Sequence, residues 1–476
     1  MSTLARPSHD DPLVTAASEV VGGPVGERAA PHPWWTPVRV VLAVTCLVFA
    51  VGMAQKTPCV QQHWAGGSTR YAEMCYSDVP YLYTGRGFAE RLLPFADTGG
   101  RYQALEYPVV IGYFGYGAAL VTHALSGWPD VHGRAQVPGD QVYAQPGVPE
   151  ESWLFFKVTA VLLAPFALLS AWFLARASRG RPWDAMAFAA SPMLALTALI
   201  NWDLLAVACV AGALWAWSRG RPVAAGVLIG LGTATKLYPL FLLGALFVVC
   251  VRRARLRAFA ATAVAAVLSW LVVNAPAMVW GFDQWKVFWS FNGDRGADLG
   301  SLWLVWQQAG HAVDAPLINT VSWMFFGAVC VGVLVLGLAA RRTPRIAQLA
   351  FLLVTGFLLV NKVYSPQYVL WLLPLAVLAR PRWRDLLVWQ AGELFYFAGV
   401  WLYLGEFTAS GESGAPDHTY WLTIVVRVVA ELYLAALVVR DVLRPECDPV
   451  RADGLVDDPL EPPEVEPARA RHALPV

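Results

Sequence analysis

The chain has 476 residues, of which 57% are hydrophobic, 14% are charged and 22 are tryptophan. Its repeated apolar runs exclude a soluble globular protein, because about 17–25 consecutive apolar residues match the hydrocarbon core of a bilayer. The formal net charge of +1 gives no sign of a charged partner such as nucleic acid. Alternating ten-residue segments of the outer-membrane barrel kind are absent. We therefore predict an all-α polytopic membrane protein.

The two ends of the chain differ from the middle. Residues 1–35 are rich in Pro, Gly and Ala and lack the apolar core of a cleavable signal, which predicts a disordered cytoplasmic tail. Residues 441–476 are acidic and Pro-rich, which predicts a second disordered cytoplasmic tail. Residues 36–440 form the predicted membrane domain.

Arginine clusters set the predicted topology, because positive residues beside a span mark its cytoplasmic end. The clusters lie at 176–182, 218–222, 252–257, 341–345, 380–384 and 440–444. With these inside, twelve spans are predicted, at 36–54, 152–175, 184–200, 203–217, 223–235, 237–251, 258–274, 317–340, 346–361, 367–379, 385–405 and 419–440. Several are too short to cross, and short segments are tolerated only when they pack inside the protein or around a cavity.

One apolar segment, 107–127, fits two interpretations. It is long enough to cross, but a single crossing would place the 176–182 arginines outside. Its glycines and tyrosines also suit a re-entrant or juxtamembrane helix, which we favour over a thirteenth span.

Polar motifs collect in the predicted outer connections. Two connections are long, 55–151 and 275–316, and the short ones are 201–203, 235–239, 361–368 and 405–418. All five lysines lie in or next to these connections, namely Lys56, Lys157, Lys236, Lys286 and Lys362. This placement runs against the positive-inside bias and indicates a local role.

Asp78 lies in the first long connection, within "CYSDVPYLY". A carboxylate at the start of an interfacial helix could be a general base facing a lipid-borne substrate. The alternative is a helix N-cap, which the following Pro80 also favours. Asp203, in "NWDLLA", has the same alternative.

Lys236 in "TKLYPLFLL" and Lys362 in "NKVYSPQY" each interrupt apolar sequence. A lysine within a bilayer costs about 2.5–3.5 kcal/mol on insertion scales, so it needs an anionic partner or an aqueous cavity. Lysine serves as a compact point charge for phosphate. Snorkelling of the amine to the interface is the alternative.

Other candidates are less specific. The aromatic-rich 275–316 segment is typical of an interfacial belt, although sugar stacking or lipid guidance also fits. Cys59 and Cys75 enclose fifteen residues and would form a disulfide worth about 3 kcal/mol in an oxidising exterior. No Cys/His spacing typical of zinc is present, and "GLGTATK" lacks the glycine before the lysine of a P-loop.

The ordered motifs "YSDVPYLY", "EYP", "NWDLLA", "TKLYPLFLL" and "KVYSPQYVLWLLPL" resemble glycosyltransferase family 87 over about residues 36–440. The resemblance implies a C-type glycosyltransferase bundle of about 12–13 transmembrane helices, with juxtamembrane helices in the first outer segment. It implies transfer of a sugar, mannose in the polyprenol-phosphate-mannose-dependent members, from a polyprenyl phosphate to an acceptor hydroxyl. The reaction would invert the sugar carbon and take place on the extracytoplasmic side of the cell membrane.

The same resemblance implies roles for particular residues. Asp78 would be the general base, and Lys236, Lys362 and Arg86 would bind the donor phosphate. Substrate-binding candidates are Tyr364, Ser365, Gln367, Tyr368, Asp203, Glu106, Tyr107, Tyr238 and His311. No cofactor or metal is expected, since lysines can meet the charge of a phosphate leaving group.

The expected partners are membrane lipid, the polyprenyl-phosphate sugar and a glycolipid, glycan or protein acceptor. A secondary transporter or lipid flippase is the alternative, because broken spans and a midmembrane lysine also fit such proteins. We find no internal repeat that favours it. A non-catalytic scaffold for envelope assembly is a third possibility.

Overall fold

The computed structural model describes residues 11–21, 33–62, 64, 67–178, 180–410, 416–452 and 457–461. Predictions for 1–10, 22–32, 63, 65–66, 179, 411–415, 453–456 and 462–476 lie outside the described residues. Throughout the described ranges the regular structure is helical, which confirms the all-α class. Among the described residues, five helices are long and apolar enough to cross a membrane by length and composition.

Two helices come first. Residues of the N-terminal segment form α1 (Pro12–Val21), where disorder was predicted, and α2 (Pro37–Gln55) lies at the first predicted span. The carboxylate of Asp11 accepts a hydrogen bond from the Trp383 amide at 3.0 Å, which attaches α1 to a later part of the chain. The Thr36 hydroxyl caps α2 by accepting from the Arg39 amide.

The first long connection is folded into short helices. These are α3 (Thr57–Gln61), α4 (Thr69–Ala72), α5 (Val79–Gly85) and α6 (Val109–Leu125), with 3-10 turns at Phe88–Glu90, Arg134–Gln136 and Gly139–Ala144. A disulfide joins Cys59 to Cys75, with their Cα atoms 5.7 Å apart. It ties α3 to the chain just before α5.

The next helices form the middle of the bundle. They are α7 (Val148–Ala177), α8 (Met186–Ala189), α9 (Pro192–Thr197), α10 (Leu204–Ser218), α11 (Pro222–Thr233) and α12 (Leu242–Arg252), with 3-10 turns at Pro182–Ala185 and Tyr238–Phe241. The predicted span 184–200 is therefore not one helix. Ser191 is extended before Pro192, because a proline disfavours helical backbone in the residue before it.

The remaining helices complete the fold. They are α13 (Leu256–Trp280), α14 (Phe282–Trp285), α15 (Val287–Asp294), α16 (Leu302–Gln308), α17 (Ala315–Ala339), α18 (Ile346–Val360), α19 (Val369–Ala379), α20 (Trp383–Ser410) and α21 (His418–Leu443), with 3-10 turns at Pro366–Tyr368 and Pro445–Cys447. The helix α6, in the segment with two interpretations, packs on α7 and α13.

Short and long helices occupy different places. The short helices α10, α18 and α19 are almost wholly buried, whereas α13 and α17 expose apolar side chains such as Val272 and Met324. These three short helices thus lie inside, where protein surrounds them, while α13 and α17 present apolar surfaces outward.

The arginine-rich ends of the helices are covered by acidic residues. Arg345, only 2% exposed, contacts both carboxylate oxygens of Asp448 at 2.8 and 2.9 Å and donates to the carbonyls of Leu378 and Ala379. Further along, Glu461 pairs with Arg253 at 2.7 Å. Disorder was predicted for 441–476, but the structure describes 441–452, where α21 extends to Leu443, and 457–461. The reason is that a buried guanidinium requires a carboxylate partner.

Candidate active site

Asp78 begins helix α5 but does not cap it with its side chain. Its carboxylate instead accepts a hydrogen bond from the Asn201 amide at 2.8 Å, and its own backbone N–H donates to the Ile200 carbonyl at 2.8 Å. The neighbouring Ser77 hydroxyl also donates to Ile200, at 3.2 Å. These bonds hold the first outer connection against the turn between α9 and α10, and the carboxylate makes no capping hydrogen bond to α5.

A second carboxylate and an ammonium lie at the same place. Asp203, like Asp78, begins a helix without capping it. Its Oδ1 accepts from the Trp371 indole N–H at 2.7 Å and lies 3.5 Å from Nζ of Lys236. Lys236 is only 8% exposed, so its amine does not snorkel, and it is within electrostatic reach of Asp78. The structure thus brings Asp78, Asp203 and Lys236 together.

Aromatic rings surround this charge cluster. Lys236 Nζ lies 5.0 Å from the centroid of the Tyr107 ring, and the Tyr107 hydroxyl accepts from Asn201 at 3.0 Å. Tyr238 and Tyr368 stack on Trp371, with ring centroids 4.7 and 4.0 Å apart. Four of the predicted substrate-binding residues are therefore neighbours here: Tyr107, Asp203, Tyr238 and Tyr368.

Burial changes the acidity of Asp78. Loss of solvation raises the pKa of its carboxyl above the ordinary value, and the nearby charge of Asp203 acts in the same direction. Hydrogen bonds from Asn201 and Tyr76 and the charge of Lys236 oppose this rise in pKa. A carboxylate with a raised pKa is a stronger proton acceptor, which suits a general base.

The Lys362 ammonium binds oxygen atoms near the end of α15 and not those of the charge cluster. Its ammonium donates to the carbonyls of Asn292 at 2.7 Å and Arg295 at 2.9 Å and to the side-chain oxygen of Asn319 at 2.5 Å. Burial and the charge of Arg295 lower the pKa of Lys362. This lysine therefore fastens the 361–368 connection to the C-terminal end of α15.

Arg86 and Glu106 bind each other. The Arg86 guanidinium donates from Nε and Nη2 to the two Glu106 oxygens, at 2.9 and 2.7 Å. Glu106 is also within electrostatic reach of Tyr107, so the pair lies beside the charge cluster.

The other predicted residues are dispersed. The Tyr364 hydroxyl donates to Glu393 at 3.0 Å between α20 and the 361–368 connection. Ser365 accepts from the Tyr368 amide through its carbonyl, Gln367 is buried, and His311 is exposed and stacks on Trp306 at 4.1 Å.

Three residues of the cluster were not assigned to the site from sequence. Asn201 lies two residues before Asp203 in "NWD", but only Asp203 was chosen as a candidate from this motif. The Tyr76 hydroxyl acts against the rise in the pKa of Asp78, two residues along. Lys56 is wholly buried and donates to the Tyr76 carbonyl at 2.9 Å, although a lysine directly after a span is typically interfacial. Across the described residues, no group of three or more His, Cys, Asp and Glu side chains is placed to hold a metal ion.

The fold and this site define a polytopic membrane protein with a buried acid and base cluster at one end of its short helices. The family model for glycosyltransferase family 87 matches residues 148–366, which is the family that the sequence motifs resemble, and this match supports a membrane glycosyltransferase. The matched residues include Asp203, Lys236 and Lys362, whereas Asp78 and Lys56 precede them. No curated protein matches the chain.

Proposed function

We propose that this enzyme transfers a sugar, mannose by its family resemblance, from a polyprenyl phosphate to a hydroxyl of a glycolipid, glycan or protein acceptor, with inversion. Asp78 is the general base. The observation that carries the proposal is the position of the Asp78 carboxylate, which caps no helix and lies within electrostatic reach of the Lys236 ammonium.

The chemistry follows from these two groups. Asp78 takes the proton of the acceptor hydroxyl while the acceptor oxygen bonds to the sugar carbon from the face opposite the phosphate. The bond from that carbon to the phosphate oxygen breaks, and the electron pair leaves with the phosphate. Lys236 meets the developing negative charge in a site shielded from water, where an ammonium is most effective.

Lys236 is the principal phosphate ligand in this proposal. Arg86 is bound to Glu106, and Lys362 is bound to carbonyl oxygens at the end of α15. Each would have to give up these partners to bind a phosphate. Tyr107, Tyr238 and Tyr368 line the same place and are the proposed sugar-binding side chains.

The proposed site faces the extracytoplasmic side. Asp203 and Lys236 lie beyond one end of α10 and α11, and the arginines of 218–222 lie between the other ends. The arrangement repeats in α18 and α19, where Arg345 and Arg380 lie at the ends opposite to the 361–368 connection. Positive residues mark the cytoplasmic side, so the opposite ends are extracytoplasmic.

The test uses purified protein in sealed vesicles with polyprenyl phosphate carrying radiolabelled mannose and a panel of glycolipid acceptors. We expect label to leave the polyprenyl lipid and appear in an acceptor, with the opposite anomeric configuration in the product. Label that crosses the bilayer while still attached to the polyprenyl lipid would favour a flippase and overturn the proposal.

A further inference from the structure

Lys56 lies at the end of α2 and is completely buried, with 0% of its surface exposed. Its Nζ donates to the backbone carbonyl of Tyr76 at 2.9 Å. The preceding Gln55 donates through its side-chain amide to the Met74 carbonyl at 2.6 Å. The end of α2 is thus attached to the segment that leads directly into Asp78.

The disulfide reinforces the same attachment. Cys59 follows Lys56 by three residues, and Cys75 precedes Tyr76 by one. Two hydrogen bonds and one covalent bond therefore fix the distance between α2 and the chain at 74–76. Since Asp78 is two residues farther on, its carboxylate cannot move far from Lys56 without breaking these bonds.

Burying an ammonium beside a carbonyl alone is costly, because the charged form loses its hydration. An apolar side chain of similar length would pack at lower cost, so the amine requires another reason. The charged group within its electrostatic reach is the carboxylate of Asp78. The location and the cost together indicate that Lys56 acts on Asp78.

We propose that Lys56 is a positioning residue for the general base: it holds the backbone that carries Asp78 and supplies the positive charge that keeps the Asp78 carboxylate ionised during turnover. This inference rests on the proposed function. Of the two described lysines in the cluster, Lys236 is assigned to the donor phosphate and Lys56 is not.

The other groups that face Asp78 explain why such a charge is needed. Asn201 and Tyr76 donate hydrogen bonds, and Tyr107 lies close, but all three are neutral. Asp203 is negative and opposes ionisation of Asp78. Lys236 is positive, but it is paired with Asp203 and is the proposed ligand of the donor phosphate. When the donor is bound, the charge of Lys236 is directed to the phosphate, and the charge of Lys56 continues to stabilise the Asp78 carboxylate.

The charge of Lys56 depends on pH. Burial lowers its pKa to about 7, and the nearby Asp78 carboxylate opposes that change. The positive charge is therefore present below about pH 7 and is lost as the pH rises through that value. Any effect of removing it must appear on the acidic side of the activity profile.

The test compares the pH dependence of kcat in wild type, Lys56→Met and the matched control Lys286→Met, whose exposed lysine pairs with Asp283. For Lys56→Met we expect the acidic limb to move upward by about one pH unit or more, as for a carboxylate that loses a neighbouring cation. Above about pH 7 the variant should converge with wild type. Lys286→Met should follow wild type throughout.

Lys56→Gln provides a second neutral variant, so the test does not depend on the folding of one protein. An unmoved acidic limb in both variants, or an equal loss of kcat at every pH, would overturn the role of Lys56. The same series includes Asp78→Asn. If that variant retains transfer, the proposed function fails; if it loses transfer while the limb stays unmoved, only the inference about Lys56 fails.

Discussion

Replacing Asp78 with Asn removes the proposed base while preserving its local packing. The amide oxygen of the new side chain can still accept the hydrogen bond that Asn201 donates at 2.8 Å. The backbone bond to Ile200 is also unaffected. We therefore expect a folded protein that has lost basicity and one negative charge.

The expected loss is kinetic. A positioned general base contributes about 10²–10⁴-fold to a reaction rate, which corresponds to about 3–5.5 kcal/mol of transition-state stabilisation. The effect should fall on kcat, with KM for the donor little changed, because Lys236 remains available for the phosphate.

The assay measures label transferred from polyprenyl-phosphate mannose to acceptor at saturating donor. Asp130→Asn is the matched control, since Asp130 is an exposed carboxylate of the same outer connection. Thermal unfolding of each purified variant checks the fold. A rate for Asp78→Asn within tenfold of both wild type and the control would refute Asp78 as the base.

Three further outcomes are expected. Lys236→Met should lower kcat/KM for the donor by about 10²–10³-fold, which is the cost of losing one electrostatic contact to a developing charge. The control Lys286→Met should stay near wild type, and equal rates in the two variants would remove Lys236 from the phosphate site. Cys75→Ser should lower the free energy of unfolding by about 3 kcal/mol, because the loop closed by the disulfide is opened. The control Cys46→Ser, at an exposed free cysteine, should not change it. Coinciding melting curves of the two variants would contradict this prediction. The pKa of Asp78 lies above the ordinary 3.8. The rate of transfer should decline as the pH falls through this pKa, because protonation removes the base. A rate that does not change down to pH 4 would contradict the assignment of Asp78.

Much of the helix pattern could be predicted because a long apolar run has few alternatives in a bilayer. The helices α2, α7, α17 and α21 begin and end within a few residues of their predicted spans. The 184–200 segment was predicted as one span, because hydropathy does not register the backbone restriction before Pro192. The acidic tail was predicted as disordered because composition gives no information about a buried arginine elsewhere that needs its carboxylates.

The charge cluster could be predicted only in part. Asp78 and Lys236 are conspicuous, since a charged residue in apolar sequence is costly and needs a reason. Lys362 is equally conspicuous, yet its ammonium binds carbonyl oxygens whose position depends on how α15 ends, and no motif encodes that. Lys56 and Asn201 become significant only when the chain between 74 and 78 is seen beside α2 and the turn before α10.

The bond between Arg345 and Asp448 constrains the order of biogenesis. Asp448 follows the last long helix, so Arg345 must wait for almost the whole chain to be synthesised before it meets its carboxylate. Until then the Arg345 guanidinium at the start of α18 lacks its two hydrogen bonds to Asp448, which favours contact of this group with water or lipid headgroups. Nascent chains stopped before residue 448 should therefore remain loosely packed at that end, as targets for membrane quality-control proteases.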